Sequence, residues 1–287
     1  MTAVVQWLWQ GTLLAVALAT VLRHLPRVNA ATRYVLWWLA LAVVFALPLI
    51  DAWVLPALVD RFGAMFAATA SRATALSAPS VSMVDGAMQL AVNGVTSTTA
   101  LFTAPALPDW FVAAVAGAWL GSVVLGLGRL AASLAAIGQL KRQARPLSLP
   151  VLRSLRLSRT ARWRARRPRL CSSPAISGAC ALGLSTRPVV VIAERLLRGL
   201  SPEALDLVVL HEQLHLRRYD DWARLSQSMI DAVFGWHPGV RLIGRQLDRE
   251  REAACDTAVV ERSGDPRRYA ACLADAADLM AGQPALF

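Results

Sequence analysis

A chain of 287 residues that is 56% hydrophobic and only 17% charged is too apolar for an ordinary soluble domain. Its formal net charge of +11 is carried almost wholly by arginine, Lys141 being the single lysine, and such an excess suits either an anionic membrane face or nucleic acid. The four cysteines (Cys171, Cys180, Cys255, Cys272) form no CxxC pair and all fall in the second half of the chain, where a cytoplasmic location would keep them reduced.

Residues 4–22 carry no charge and would span about 28 Å as a helix, close to the hydrocarbon thickness of a bilayer. Positive charges (Arg23, Arg27, Arg33) follow this run instead of preceding it, which argues for a membrane helix over a cleaved signal peptide. A second span is expected over residues 34–58, with Trp37, Trp38 and Trp53 placed for interfacial belts. Residues 60–109, rich in Ala, Ser and Thr, read as an extracytoplasmic loop. The third span is expected over residues 110–137, where Gly121, Gly126 and Gly128 offer small surfaces for close helix packing and Arg129 can snorkel.

Charge sets the expected topology. Between Lys141 and Arg169 there are eleven Lys or Arg residues, and no acidic side chain occurs from Trp110 through Ala193. That flank belongs on the cytoplasmic side, which places the N-terminus and residues 60–109 outside and residues 138–287 inside. The run RTARWRARRPR also has the look of a nucleic-acid segment, but beside a membrane helix anionic lipid headgroups are the simpler partner, and no direct nucleic-acid contact is expected.

The cytoplasmic part reads as mixed α and β. Strands are expected at Pro168 to Ser172 and Pro188 to Ala193, with Gly178 to Leu184 between them. Ser201-Pro202-Glu203 then opens a helix with an N-cap, a proline at the first position and an acid in the first turn. On that helix lies His211-Glu212-Gln213-Leu214-His215. Residues four apart share a helix face, so both imidazoles can bind one Zn²⁺ while Glu212, one step round, acts on a water as the general base of a metallopeptidase.

A catalytic zinc needs a third protein ligand, best sought on another helix. Pro238 opens one that should run to a C-terminal cap at Gly264, and it carries Asp248, Glu250, Glu252, Asp256 and Glu261 among several arginines. Most of these acids must form solvated pairs with the arginines. Glu252 and Asp256, four apart, share a face, which suits Glu252 as ligand and Asp256 as acceptor for the free ring N–H of a ligating histidine. His237, just before Pro238, is a further ligand candidate but better suited to a cap. Residues 222–243 are apolar in part, yet Arg224, Asp231, His237, Pro238 and Arg241 interrupt them, so an amphipathic excursion along the membrane surface is expected instead of a fourth span.

HEQLH followed by Arg217-Arg218-Tyr219-Asp220 and by REREAACD, with RPVVVIAERLLRGLSPEALDLVVLHE before it and ATRYVLWWLAL in the second span, resembles the BlaR/MecR family of integral-membrane zinc metallopeptidases. The resemblance implies a gluzincin-like domain whose small sheet has an edge strand for extended substrate, placed here at residues 178–193. It further implies His211, His215 and Glu252 as zinc ligands, Glu212 as catalytic base, Asp256 as supporting acid, and Cys255 as a family feature with a packing role. The implied setting is the bacterial inner membrane, and the implied substrates are a transcriptional repressor or the protease itself. A noncatalytic transducer holding a structural zinc is the alternative, and a homo-oligomer is left open. The sensing members continue through a fourth membrane helix into a penicillin-binding sensor. The sequence given ends at Phe287 and contains no SxxK, since Gly138 stands three residues before the single lysine, so antibiotic sensing is not carried over. Tyr219 and Arg218 are candidates to stabilise an oxyanion.

Overall fold

The computed structural model describes residues 2–25, 27–50, 108–160, 167–184 and 187–281. Among these, three helices are long and apolar enough to cross a membrane. They are α1 (Thr2–His24), α2 (Ala30–Leu49) and α3 (Asp109–Gln143). The outer end of the expected second span and the loop expected at residues 60–109 lie outside the described residues, apart from Pro108 and Asp109, the latter opening α3. The third helix does not stop near residue 137. It runs on through Lys141 and Arg142, because nothing in Ile137 to Gln143 breaks a helix and the two cations sit favourably in its last turn.

The chain divides into two compact units, Met1–Gly11 with Ala42–Ala118 and Thr12–Leu41 with Trp119–Phe287. In the first, the Trp7 indole N–H donates to the Val44 carbonyl at 2.6 Å, a polar tie between α1 and α2. In the second, the chain after α3 forms β1 (Arg145–Pro146), α4 (Leu149–Ser154), α5 (Leu157–Thr160), β2 (Arg169–Ser173), β3 (Ala179–Leu182), β4 (Val189–Ala193), α6 (Glu194–Gly199), α7 (Pro202–Arg217), α8 (Asp220–Phe234), α9 (Pro238–Ser263) and α10 (Pro266–Ala281). The sheet order is β1-β2-β4-β3, with β2 and β4 parallel and both outer pairs antiparallel. All five residues of β4 are buried, which is why PVVVIA reads as an unbroken apolar run. β1, two residues long, left no periodic signal in the sequence.

The core lies between the sheet and α7. Val190, Ile192 and Leu196 pack with Leu205, Val209, Leu210 and Leu214 of α7, and with Val259 and Cys272 of the two last helices. The caps are as the sequence predicts. Ser201 Oγ accepts from Ala204 N at 3.2 Å, and Gly264 closes α9 at φ 69°, a conformation for which a residue without Cβ is suited. His237 is a cap: its Nδ1 accepts from Gly239 N at 3.0 Å and Val240 N at 3.3 Å at the start of α9.

One buried carboxylate on α7 organises the chain before the sheet. Asp206 accepts backbone N–H groups from Arg156, Leu157 and Ser158 at 2.7, 2.6 and 3.0 Å, satisfying the orphan donors at the start of α5. Asp206→Ala is expected to cost about 1–3 kcal/mol, read as a lowered thermal midpoint of the purified protein, because three backbone donors, that of Ser158 buried, lose a charged partner together.

The start of α2 is fastened to the helices of the second unit. Arg33 pairs with Glu250 of α9 at 2.9 Å, and the Arg218 guanidinium lies 5.4 Å from the centroid of the Tyr34 ring. α8 packs against α3: the Trp119 indole N–H donates to Val233 O at 3.1 Å, and a Cβ on Gly126 would meet Ala232 Cα at 2.9 Å. Of the three small residues expected to permit close packing, Gly126 does so; Gly121 and Gly128 face open space. α8 itself is not among the candidate spans; it is amphipathic, and it exposes Trp222 and Met229.

Candidate metal centre

α7 brings His211, Glu212 and His215 to one face because the two imidazoles are one turn apart. Their Nε2 atoms stand 3.1 Å from each other, and the Glu252 carboxylate on α9 lies 3.6 Å from His211 Nε2 and 3.5 Å from His215 Nε2. A tetrahedral zinc with bonds of about 2.0–2.2 Å holds its donors about 3.3–3.6 Å apart, so the three donor atoms are spaced close to what one such ion needs, the two Nε2 atoms slightly nearer. Two other acids of α9 are occupied elsewhere, Glu250 by Arg33 and Asp248 by Arg251. Of the candidates on that helix, Glu252 alone joins the two histidines as a donor group.

The remaining ring nitrogens are held from behind. His211 Nδ1 lies 3.2 Å from Asp256 Oδ1 and 2.9 Å from the Tyr269 hydroxyl, which itself donates to Asp256 at 2.7 Å. His215 Nδ1 lies 2.9 Å from Asp220 Oδ2, with the Cys255 thiol 3.4 Å from the same nitrogen. Both rings therefore turn Nε2 toward Glu252, the orientation that carboxylate partners enforce in histidine metal sites.

Four carboxylates (Glu212, Asp220, Glu252, Asp256) surround two imidazoles, and the titration of the group reflects the surplus. Burial disfavours charge on His211, but Asp256 and Glu252 outweigh it and raise its pKa to about 9. His215 moves the same way: burial opposes the shift, and Asp220, Cys255 and Glu252 together prevail. The histidines in turn hold the Glu252 carboxyl well below the usual carboxylate range. Burial pushes Glu212 upward. Two protonated imidazoles, or a bound cation between them, are alternative ways to balance these carboxylates.

The donor set sits in a cavity of about 810 Å³ whose lining includes Cys180, Ala181 and Leu182 of β3. β3 is an edge strand, within the stretch where the sequence places one, and the Ala181 backbone N–H donates to Glu212. The family model described as BlaR1 peptidase M56 matches residues 5–283. The chain belongs to the BlaR1 peptidase M56 family. No curated protein matches it.

As a member of this family with three apolar helices, it is a membrane protein with a peptidase domain. Two partners of the M56 site escaped the sequence reading. Tyr269 comes from α10, and nothing in DPRRYAACL marks it as part of the centre. Asp220 lies five residues past His215, across a break where Tyr219 takes the left-handed conformation at φ 60°. The need of each ligating histidine for its own acceptor was the available signal for Asp220. Cys255 is fully buried, with its thiol 3.6 Å from Asp220 Oδ2 and 3.4 Å from His215 Nδ1, so it touches the polar surround of that histidine as well as the core. Neither Arg218, which lies 3.5 Å from Asp220, nor Tyr219 lines the cavity. Asp220→Ala is expected to weaken zinc affinity about 10–100-fold, measured by competition with a chelating dye, because His215 loses the group that fixes its ring.

Proposed function

We propose that the chain is a zinc-dependent endopeptidase that performs regulated proteolysis at the bacterial cytoplasmic membrane, cutting a cytoplasmic or membrane-proximal protein such as a repressor or itself. The observation that carries this reading is the convergence of His211 Nε2, His215 Nε2 and Glu252 Oε2 beside Glu212, with both Nδ1 atoms tied to carboxylates. His211, His215 and Glu252 would hold the metal. When bound, zinc supplies Lewis acidity toward the scissile carbonyl and makes a neighbouring water more acidic.

The chain's own groups do the rest. Glu212 takes a proton from the attacking water on its carboxylate and delivers it to the leaving amine nitrogen. Its upward shift by burial brings it closer to the working pH, which favours both halves of that transfer. Asp256, Tyr269 and Asp220 keep the imidazoles in register, and β3 offers backbone groups to an extended substrate. The positive flank after α3 supports placing this domain on the cytoplasmic side, with the N-terminus outside and anionic lipid against residues 141–169.

The test is proteolysis of a panel of quenched fluorescent decapeptides by the full chain in detergent. Zinc-loaded protein is expected to cleave some of them, chelated protein none, and readdition of zinc to restore the rate. Cleavage that is indifferent to chelation would refute the assignment.

A further inference from the structure

α8 presents two unlike faces. Asp220, Arg224, Ser228 and Asp231, at spacings of four, four and three, line the metal cavity. Trp222 and Met229, seven apart on the opposite side, are half exposed, and Trp236 is exposed just past the helix end. α9 takes a further side through Gln227, whose amide donates to Gly244 O at 3.0 Å.

The level of α8 is set by α3. A helix crosses a bilayer with about 20 residues, and every such stretch between Trp110 and Leu140 includes Gly126. Arg129 is the one charge in that run, which places the crossing on its N-terminal side, over Trp110 to Gly128. Trp119 and Gly126 stand ten and three residues before Arg129, about 15 and 4.5 Å along the axis. Ala232 packs on Gly126, and the Val233 carbonyl accepts from the Trp119 indole. The end of α8 therefore lies at depths that α3 spends in hydrocarbon.

The turn that follows suits such a place. A backbone polar group in hydrocarbon has no water to turn to, so non-helical backbone is tolerated there only where the protein supplies partners. Gly235 N–H donates to Asp231 O at 2.9 Å, His237 N–H to Phe234 O at 2.8 Å and Arg241 N–H to His237 O at 3.1 Å. The first backbone donors of α9, at Gly239 and Val240, reach Nδ1 of the wholly buried His237, and Pro238 brings no N–H of its own. The two charges nearest the turn, Asp231 and Arg241, are of opposite sign and close enough to interact.

We propose that the end of α8 and its turn into α9, residues 229–238, form a re-entrant segment inserted among the lipid acyl chains on the Arg129 side of the bilayer, with Met229 and Trp236 against those chains. From sequence alone this segment is expected along the membrane surface; its ties to Trp119 and Gly126 carry it below that surface. One helix then separates the metal cavity from lipid, and α9, which bears Glu252, starts inside the membrane.

The experiment uses the purified full chain, with no other protein, in nanodiscs of phosphatidylcholine and phosphatidylglycerol. A phospholipid with a diazirine midway along its acyl chain is photolysed, and the adducts are mapped by mass spectrometry. Residues 229–238 are expected to carry adducts at least tenfold above residues 266–281 of α10. A level within threefold of α10, with residues 110–128 of α3 labelled, overturns the proposal. This arm needs no substitution, so it does not depend on a variant that folds.

A second arm compares a fluorophore on Trp236→Cys with one on Arg267→Cys, an exposed position on α10, after subtraction of the label taken up by the parent's four free cysteines. A nitroxide on the lipid acyl chain is expected to quench the probe at 236 at least twofold more than the probe at 267, and iodide in the water to do the reverse. Equal quenching by the nitroxide, or stronger quenching of the probe at 236 by iodide, overturns the insertion and leaves the stripe to a protein partner.

Discussion

Glu212→Gln is expected to lower the rate of peptide cleavage by about 10²–10⁴-fold while the protein keeps its full complement of zinc. Glutamine preserves the volume of the side chain and can still accept the Ala181 N–H through its amide oxygen, so the edge strand and the helix stay as they are. What it cannot do is take up and return a proton. The donor atoms of His211, His215 and Glu252 are untouched, which makes zinc content the internal control. Parallel measurement of metal by mass spectrometry and of cleavage by fluorescence separates a catalytic from a purely structural ion. Activity of the variant within threefold of the parent would leave a noncatalytic transducer with a structural metal as the better description.

Glu252→Ala is the second large effect. Removing an outer partner of a ligand costs about 10–100-fold in metal affinity, so removing a ligand should reach or exceed the upper end of that range. The expected result is zinc loss comparable to that of His215→Ala after dialysis against a weak chelator. The variant also strips the two imidazoles of the carboxylate between them, so His211 and His215 each lose one of the groups that raise their pKa. Full zinc retention by Glu252→Ala would remove this carboxylate from the metal centre.

The part of this centre that depends on one helix was readable before any coordinates. Ligands four residues apart on α7, and Glu252 with Asp256 four apart on α9, follow from helix geometry, and the choice among the five acids of α9 followed from the family pattern ExxCD. The part that depends on how helices pack was not. Tyr269 reaches His211 across 58 positions of sequence, and no local pattern encodes such a distance. Asp220 was hidden by a subtler cause, since the helix that carries His215 ends between them and helical spacing no longer predicts facing. The three apolar helices were legible from hydropathy because a bilayer imposes length and apolarity together. The last turn and a half of α3, past Ile137, was not, because there hydropathy no longer marks the helix and only the lack of a breaker keeps it going.

The contact between Arg33 and Glu250 has a mechanical meaning. Glu250 is 6% exposed and stands two residues before Glu252, while Arg33 belongs to the first turn of α2. The Arg33 side chain keeps partial exposure while Glu250 is buried, so separating them leaves a buried carboxylate without its partner. The first turn of the second apolar helix and the helix that carries Glu252 are therefore tied to each other within the second unit. A shift of that first turn is felt two residues from Glu252, in the helix that carries it.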